Sequence, residues 1–291
     1  MKSSSIINFK LGQRLVSGLE VHQLSDLYAT VGEVITSFHR TDFYTIIWFQ
    51  KGNTKHIVDF IEVETPANTV LFLNEDTIQR FDTRKDQEGK VIVFHKSFFD
   101  RTEKDAAYLE NNVLFHNLFP YSIIQLGDQE KAFSSFVAMM DQELGGESHV
   151  LRADILRHLL YGLLLVSERN KITTDGFEPV LNSSLVYVKT FRSLLEKGFR
   201  VQKNVVFYAG QMLLTEKRLG LATIEILGIT PKQFILERIL LEAKRQLLYS
   251  NLSIKEIASD LGYDEATNFV KFFKNHSQLT PKEFRMLHIR S

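Results

Sequence analysis

A hexapeptide near the end of the chain occurs twice. Ile229-Thr230-Pro231-Lys232-Gln233-Phe234 returns as Leu279-Thr280-Pro281-Lys282-Glu283-Phe284, fifty residues on. Upstream of each copy the sequence predicts a short helix, a turn and a second helix. Ala209 is followed ten residues later by Leu219, and Ala258 eleven residues later by Phe269. A small residue on the first helix lets the second cross closely over it, which is the steric requirement of a helix-turn-helix. Two such units joined by a long helix predict an all-α module that reaches two adjacent DNA grooves.

The segment 251–285 carries Ile254, Glu256, Ile257, Ala258, Leu261, Gly262, Tyr263, Phe269, Phe272, Phe273, Lys274, Pro281 and Arg285 at fixed spacing. In this it resembles the second helix-turn-helix and signature region of the AraC/XylS family of bacterial transcription regulators. The resemblance covers the C-terminal third of the chain. It implies a seven-helix domain in which the second helix of each unit faces double-stranded DNA. It further implies a homodimer formed through the N-terminal part, promoter binding and contact with RNA polymerase. Activation is the expected output of such a protein, with repression as the open alternative.

Charge is divided in the way such a module needs. From Ser184 onward there are 17 Lys and Arg against 10 Asp and Glu, a surplus of seven positive charges. The preceding residues carry 18 against 25, and the whole chain is formally neutral. A basic end attracts phosphate, and an acidic remainder restrains indiscriminate binding. Cys is absent, which excludes disulfides, thiolate metal sites, Cys nucleophiles and the acceptor of a methyl-transferring repair protein. No apolar run approaches the ~20 residues of a membrane span, and Met1 to Lys10 holds no signal-peptide core. The expectation is a cytoplasmic protein without membrane contact.

Residues 1 to about 125 are expected to be β-rich. Short apolar or alternating runs at Phe43–Phe49, His56–Val63, Thr69–Leu73, Ile78–Phe81 and Val91–Phe94 are separated by turn formers such as Lys51-Gly52-Asn53 and Pro66-Ala67-Asn68. This predicts a small antiparallel barrel or sandwich. His39 to Tyr44, and the later stretch Pro66 to Phe81, resemble the cupin-like sensor barrel of many AraC-type regulators. Where relatives often have a second His, this chain has Gln79. His39 stands alone in its motif, with Thr41 and Gln79 at the partner positions, so neither a metal site nor another cofactor is expected. A small-molecule effector inside the barrel would be lined by His39, Tyr44, Ile46, Trp48, Phe60, Phe72, Gln79 and Phe81. The same aromatic residues could equally form a solid core.

An amphipathic helix is predicted over Asp128–Leu144 and another over His149–Arg169. The second half of the latter, Leu159 to Val166, is apolar all round and must be buried on every side. Leu159, Leu163 and Val166 share one face, expected to meet a second subunit, as in the dimerisation helix that this segment resembles; the alternative is packing wholly within the chain, on the barrel and the preceding helix. Asn170 to Ser183 lacks periodicity and holds Gly, Pro, Asn and Ser, so the expected domains are 1–170 and 184–291, with 171–183 as linker.

The two DNA-facing helices differ. Over 264–275, Phe269, Phe272 and Phe273 anchor the helix, while Ala266, Thr267, Asn268, Val270, Lys271 and Lys274 lie opposite. Asn pairs with adenine edges, Lys with guanine or phosphate, and methyl groups touch thymine. Over Glu216–Leu227 only Lys217, Arg218 and Thr223 keep polar reach; Gly220, Leu221 and Ile224 occupy positions that are usually polar in relatives. That helix is expected to work through phosphates and shape, or else to offer Leu221 and Ile224 to a protein partner. The latter alternative describes an interaction protein that does not need DNA. No catalytic constellation is found.

Overall fold

In the computed structural model, residues 7–9, 18–84, 87–115, 121–175 and 183–289 are described. They divide into two compact units, Ile7–Glu178 and Pro179–Ser291.

The first unit holds two five-stranded sheets. One has the order β1 (Ile7–Phe9), β3 (His39–Thr41), β8 (Ile78–Arg80), β5 (Asn53–Val58), β6 (Ile61–Pro66); β1 runs parallel to β3 and the other pairs are antiparallel. The other is wholly antiparallel: β10 (Ser122–Gln125), β7 (Thr69–Leu73), β4 (Tyr44–Lys51), β9 (Glu88–Phe94), β2 (Leu19–Gln23). No strand pair among the described residues joins the two sheets, so the expected closed barrel is corrected to a pair of sheets with open edges.

The reason lies in how the second sheet is covered. Every side chain of Tyr44–Phe49 and Thr69–Leu73 is buried. Alternate residues point to opposite faces. Ile47, Phe49, Leu71, Leu73, Val91 and Val93 fill the space toward the first sheet with Val58, Val63 and Phe81, and with Leu24, Tyr28 and Ile35 of α1 (Leu24–Ile35). Tyr44, Ile46, Trp48, Val70, Phe72, Ile92 and Phe94 face the other way. They pack under α2 (Lys96–Phe99), α4 (Glu130–Gly145) and α5 (Arg152–Asp175), with Leu109 of α3 (Glu103–Asn111) and Phe115 completing the layer.

One predicted strand splits. His56–Val63 is two strands turned at Asp59-Phe60, whose φ angles are 46° and 69°. Two successive positive φ values make the tight hairpin connection that favours Asn-Gly, and here two non-glycine residues adopt it. The Asp59 carboxylate and amide both bond the backbone of Ile78, which fixes the turn against β8.

Helix α5 runs through Asp175, into the stretch expected as linker. Gly162 makes its approach to α4 close: a Cβ there would lie 2.5 Å from Phe136 Cε1. The face predicted to meet a second subunit lies within its own unit. Leu163 is fully buried in the sheet–helix core, and Leu159 and Val166 are half-buried. The outward apolar side chains of α5 are instead Ile155, Tyr161 and Leu165, with Leu151 exposed just before the helix. No single helix among the described residues is long and apolar enough to cross a membrane.

The second unit is all helix: α6 (Ser183–Gly198), α7 (Val205–Gln211), α8 (Glu216–Leu227), α9 (Pro231–Tyr249), α10 (Ile254–Asp260), α11 (Ala266–Ser277) and α12 (Pro281–Ile289). These are the seven helices that the family resemblance implies.

Candidate nucleic-acid interface

Local chemistry fixes each helix of the repeat. Asn204 and Ser253 cap α7 and α10, accepting from the amides of Val206 and Glu256; the Glu256 side chain closes a capping box on Ser253. Thr215 and Thr230 cap α8 and α9, and Thr280 bonds Glu283 in the same way at α12. Pro231 and Pro281 sit at the first helical position, where no amide is missed. Ala209 and Ala258 are buried, and so are Leu219 and Phe269. Helices α8 and α11 both end in a left-handed residue, Gly228 at φ 71° and Gln278 at φ 64°.

Helix α11 is held by fully buried Phe269 and Phe273, with Tyr263 packing on Phe269 and Phe272 at 5.6 Å. Thr267, Asn268, Lys271 and Lys274 are left exposed on the outer side, and Ala266 and Val270 are half-buried beside them. Lys271 and Lys274 supply positive charge, Asn268 a two-sided hydrogen-bonding amide, and Thr267 a methyl and a hydroxyl, the latter bonded to Glu265 at 3.1 Å.

Helix α8 presents a different surface. Lys217 and Arg218 are exposed, with Arg218 lying 5.0 Å from the centre of the Tyr187 ring. Thr223, expected to reach outward, is fully buried and its hydroxyl donates to the Gly220 carbonyl, so it is not available to DNA. The three-residue bond satisfies the hydroxyl within its own helix turn. Leu221 and Ile224 are 61% and 52% exposed, an apolar strip on the outward side.

The residues expected to line an effector site separate by sheet face. His39, Gln79 and Phe81 line a cavity of about 200 Å³ between α1 and the sheets, together with Glu20, His22, Leu27, Thr30, Val31, Ile35, Thr41, Phe43, Thr45, Val91 and Val93. Tyr44, Trp48 and Phe72 do not. They point to the opposite face, where Tyr44 stacks on Phe94, Phe72 meets Phe115 and Trp48 meets Phe133. Phe60 lies in the hairpin turn against Phe38. Not expected as lining were Thr45, α1, whose backbone kinks at Val31 beside the cavity, and Thr41, read only as a partner position of His39.

Strand register sets His39 opposite Gln79, and the Gln79 amide oxygen lies 3.1 Å from His56 Nε2. Burial pushes the His39 imidazole down to about 4. Burial, and then the neighbouring His39, push His56 down to about 3. Both are neutral near pH 7. Among the described residues, Thr45 Oγ1 is buried without a hydrogen-bond partner, and no Lys or Arg lines the cavity.

Residues 208–286 match the family described as a helix-turn-helix domain. The transcriptional activator RhaR of Escherichia coli K12 is 19% identical over 258 residues, covering 86% of each chain, and the RhaR of Shigella dysenteriae matches to the same extent. Among solved structures, ToxT of Vibrio cholerae superposes with a TM-score of 0.47 at 12% identity, over 92% of this chain and 97% of that one. An AraC-type regulator from Chromobacterium violaceum gives 0.34 at 24% identity, over 36% of this chain and 95% of that one. Over residues 208–286 the chain thus carries a helix-turn-helix domain, and over most of its length it is similar to AraC-type DNA-binding transcription regulators such as RhaR.

Proposed function

We propose that the protein is a cytoplasmic, promoter-binding regulator that reads base edges with α11, holds phosphates with Lys217 and Arg218 of α8, and answers to a small uncharged effector in the N-terminal cavity. The observation that carries this reading is the division of α11. One side is locked by Phe269 and Phe273, and the other offers Thr267, Asn268, Lys271 and Lys274 to solvent. A helix so anchored presents its polar side chains from a rigid frame, as base readout requires.

The cavity favours a compact, neutral ligand. Its walls are mostly apolar, and its polar side chains are Thr30, His39, Thr41, Thr45, Gln79 and the paired His22 and Glu20. Among the described lining residues a carboxylate or phosphate would meet no Lys or Arg, and burying it unpaired costs several kcal/mol. A hydroxyl or amide would give Thr45 Oγ1 the partner it lacks. Ligand control then requires that the effector bind the DNA-competent state better than the alternative.

Dimerisation, with promoter contact to RNA polymerase and activation as the output, completes the proposal. Ile155 and Leu165 of α5, with Leu151 just before it, are the surface for the second copy, and the domain boundary lies after Asp175, where α5 ends, within the stretch first read as linker.

The test is selection of bound sequences from random DNA with the full chain, followed by melting of the protein with paired neutral and carboxylate analogues. No enriched sequence would end the regulator reading at this interface. Stabilisation by the anionic members of each pair would end the neutral-effector reading. Leu165→Glu should convert dimer to monomer in sedimentation; a dimer that persists rejects that face.

A further inference from the structure

The two copies of the repeat are not docked alike. In the second, the turn between α10 and α11 is clamped by the segment that precedes the first. Gly262 has φ 68°, and a Cβ at that position would overlap the Arg200 carbonyl oxygen. The Arg200 backbone therefore lies directly on the turn. Lys203 donates from Nζ to the Gly262 carbonyl at 2.5 Å and stands 3.6 Å above the centre of the Tyr263 ring. Tyr263 in turn packs on Phe269 and Phe272 of α11. The Arg200 guanidinium bonds Asp260 at the end of α10 at 3.2 Å and Glu242 of α9 at 3.0 Å. Arg238 continues the chain, bonding Glu242 at 3.1 Å and Glu196 of α6 at 2.9 Å. The corresponding turn residue of the first copy, Leu213, is 95% exposed.

Surface ion pairs taken singly contribute little. The steric seat at Gly262 and the Lys203 bridge differ, because they leave the turn of the second unit one position against the root of the first. Without that contact, α9 would be the main connection between the units. It has 19 residues and spans about 28 Å. We propose that Arg200–Lys203 is a strut that fixes the separation of the two DNA-facing helices, so that Lys203 and Gly262 determine the half-site spacing the protein accepts. Both are positioning residues: they act through Tyr263 and the turn, not by touching a base. The proposal rests on α8 and α11 being the DNA-facing helices.

The physical consequence is specific. One inserted base pair moves a half-site by about 3.4 Å along the duplex and roughly 35° around it. A rigid module cannot follow, and forfeits the contacts of one helix. A module joined through α9 alone can follow in part.

The experiment uses the full chain and a site selected by it from random DNA. The two halves are located by single-base substitution, and sites are built with one base pair inserted or deleted between them. The readout is the ratio of affinities, parental over respaced, at fixed salt. Loss of a positive charge cancels in that ratio. The natural protein should lose about tenfold or more on respacing, the scale of a lost base contact. Lys203→Met should bring the loss below about threefold, even where its parental-site affinity falls. Arg200→Met with Lys203→Met should relax it further, and Lys203→Arg, which keeps a donor and a cation over Tyr263, should restore the penalty. Circular dichroism melts of each variant exclude unfolding as the cause.

A respacing ratio in Lys203→Met and in the double variant equal to that of the natural protein overturns the strut. So does a natural protein indifferent to spacing. Failure of the underlying reading has a separate signature: Asn268→Ala would leave the affinity for the parental site unchanged.

Discussion

Residues that hold the frame are matched between the two helix-turn-helix units, and residues that meet solvent are not. Asn204 answers Ser253 at the first cap, Ala209 answers Ala258 at the crossing, and Pro231 answers Pro281 after the reading helix. On the outer faces, Leu221 and Ile224 stand in α8 where α11 presents Lys271 and Lys274. Steric and capping requirements recur wherever the same fold recurs. A surface carries no such requirement, so one unit can keep base-reading chemistry while the other turns apolar. The turns diverge too, with Gly262 docked and Leu213 in solvent at φ 54°.

The largest expected effect tests the turns. Gly262→Ala adds a Cβ in a left-handed conformation and against the Arg200 carbonyl, and should cost about 2–4 kcal/mol, combining strain and overpacking. Leu213→Gly removes the same kind of strain from an exposed side chain and should stabilise by up to about 1 kcal/mol. Denaturant melts of the intact chain give both. Equal and small effects at the two positions would mean that the turns are equivalent after all.

Next comes the contrast between the reading helices. Asn268→Ala and Lys271→Ala should each weaken specific binding by roughly 1–3 kcal/mol and relax preference at one base pair. Lys217→Ala and Arg218→Ala should weaken binding uniformly across sequences and lower the salt slope by about 0.9 each. Binding titrations against single-base variants of a selected site, repeated over a salt series, separate the two behaviours. If Arg218→Ala alters sequence preference as strongly as Asn268→Ala, α8 reads bases. Adding what α8 lacks is the complementary change. Leu221→Arg places a guanidinium on the exposed strip and should raise affinity with a slope steeper by about 0.9. Unchanged affinity and slope would place Leu221 away from the duplex.

How much of this was legible beforehand follows from what the sequence repeats and what it does not. Helix α8 is found with both ends as predicted, and α11 within two residues, because caps and αL residues are local signals. The orientation of Thr223 was not legible. A threonine on a helix can bond its own backbone or reach outward, and packing against the rest of the unit decides. In the N-terminal unit, the strands of the helix-covered sheet are buried on both faces. Alternation then carries no information about which aromatic faces the cavity, and Tyr44, Trp48 and Phe72 were placed on the wrong side for that reason. The Asp59-Phe60 hairpin escaped because no glycine marks it. Leu163 was misplaced because an all-apolar helix gives no sign of which apolar face is the inner one.

The smallest expected effect bears on why α8 contains a glycine at all. Gly220 lies inside the helix, half-buried, and a Cβ there would meet nothing within 4 Å. Folding a glycine into a helix costs more backbone entropy than folding an alanine, so Gly220→Ala should stabilise the protein by about 0.5–1 kcal/mol. Its counterpart fifty residues on is Val270, and Val270→Gly should destabilise by a similar amount or more, since it also removes a half-buried side chain. DNA affinity then decides between two meanings of the difference. If Gly220→Ala melts higher and binds as before, the outer surface of α8 is passive and the units differ as their side chains suggest. If it melts higher and binds more weakly, the bare backbone at Gly220 lies against the duplex, where a methyl group would hold phosphate or base at a distance. The first unit would then read by close approach where the second reads by hydrogen bonds, and the apparent weakness of α8 would be a different mode of contact.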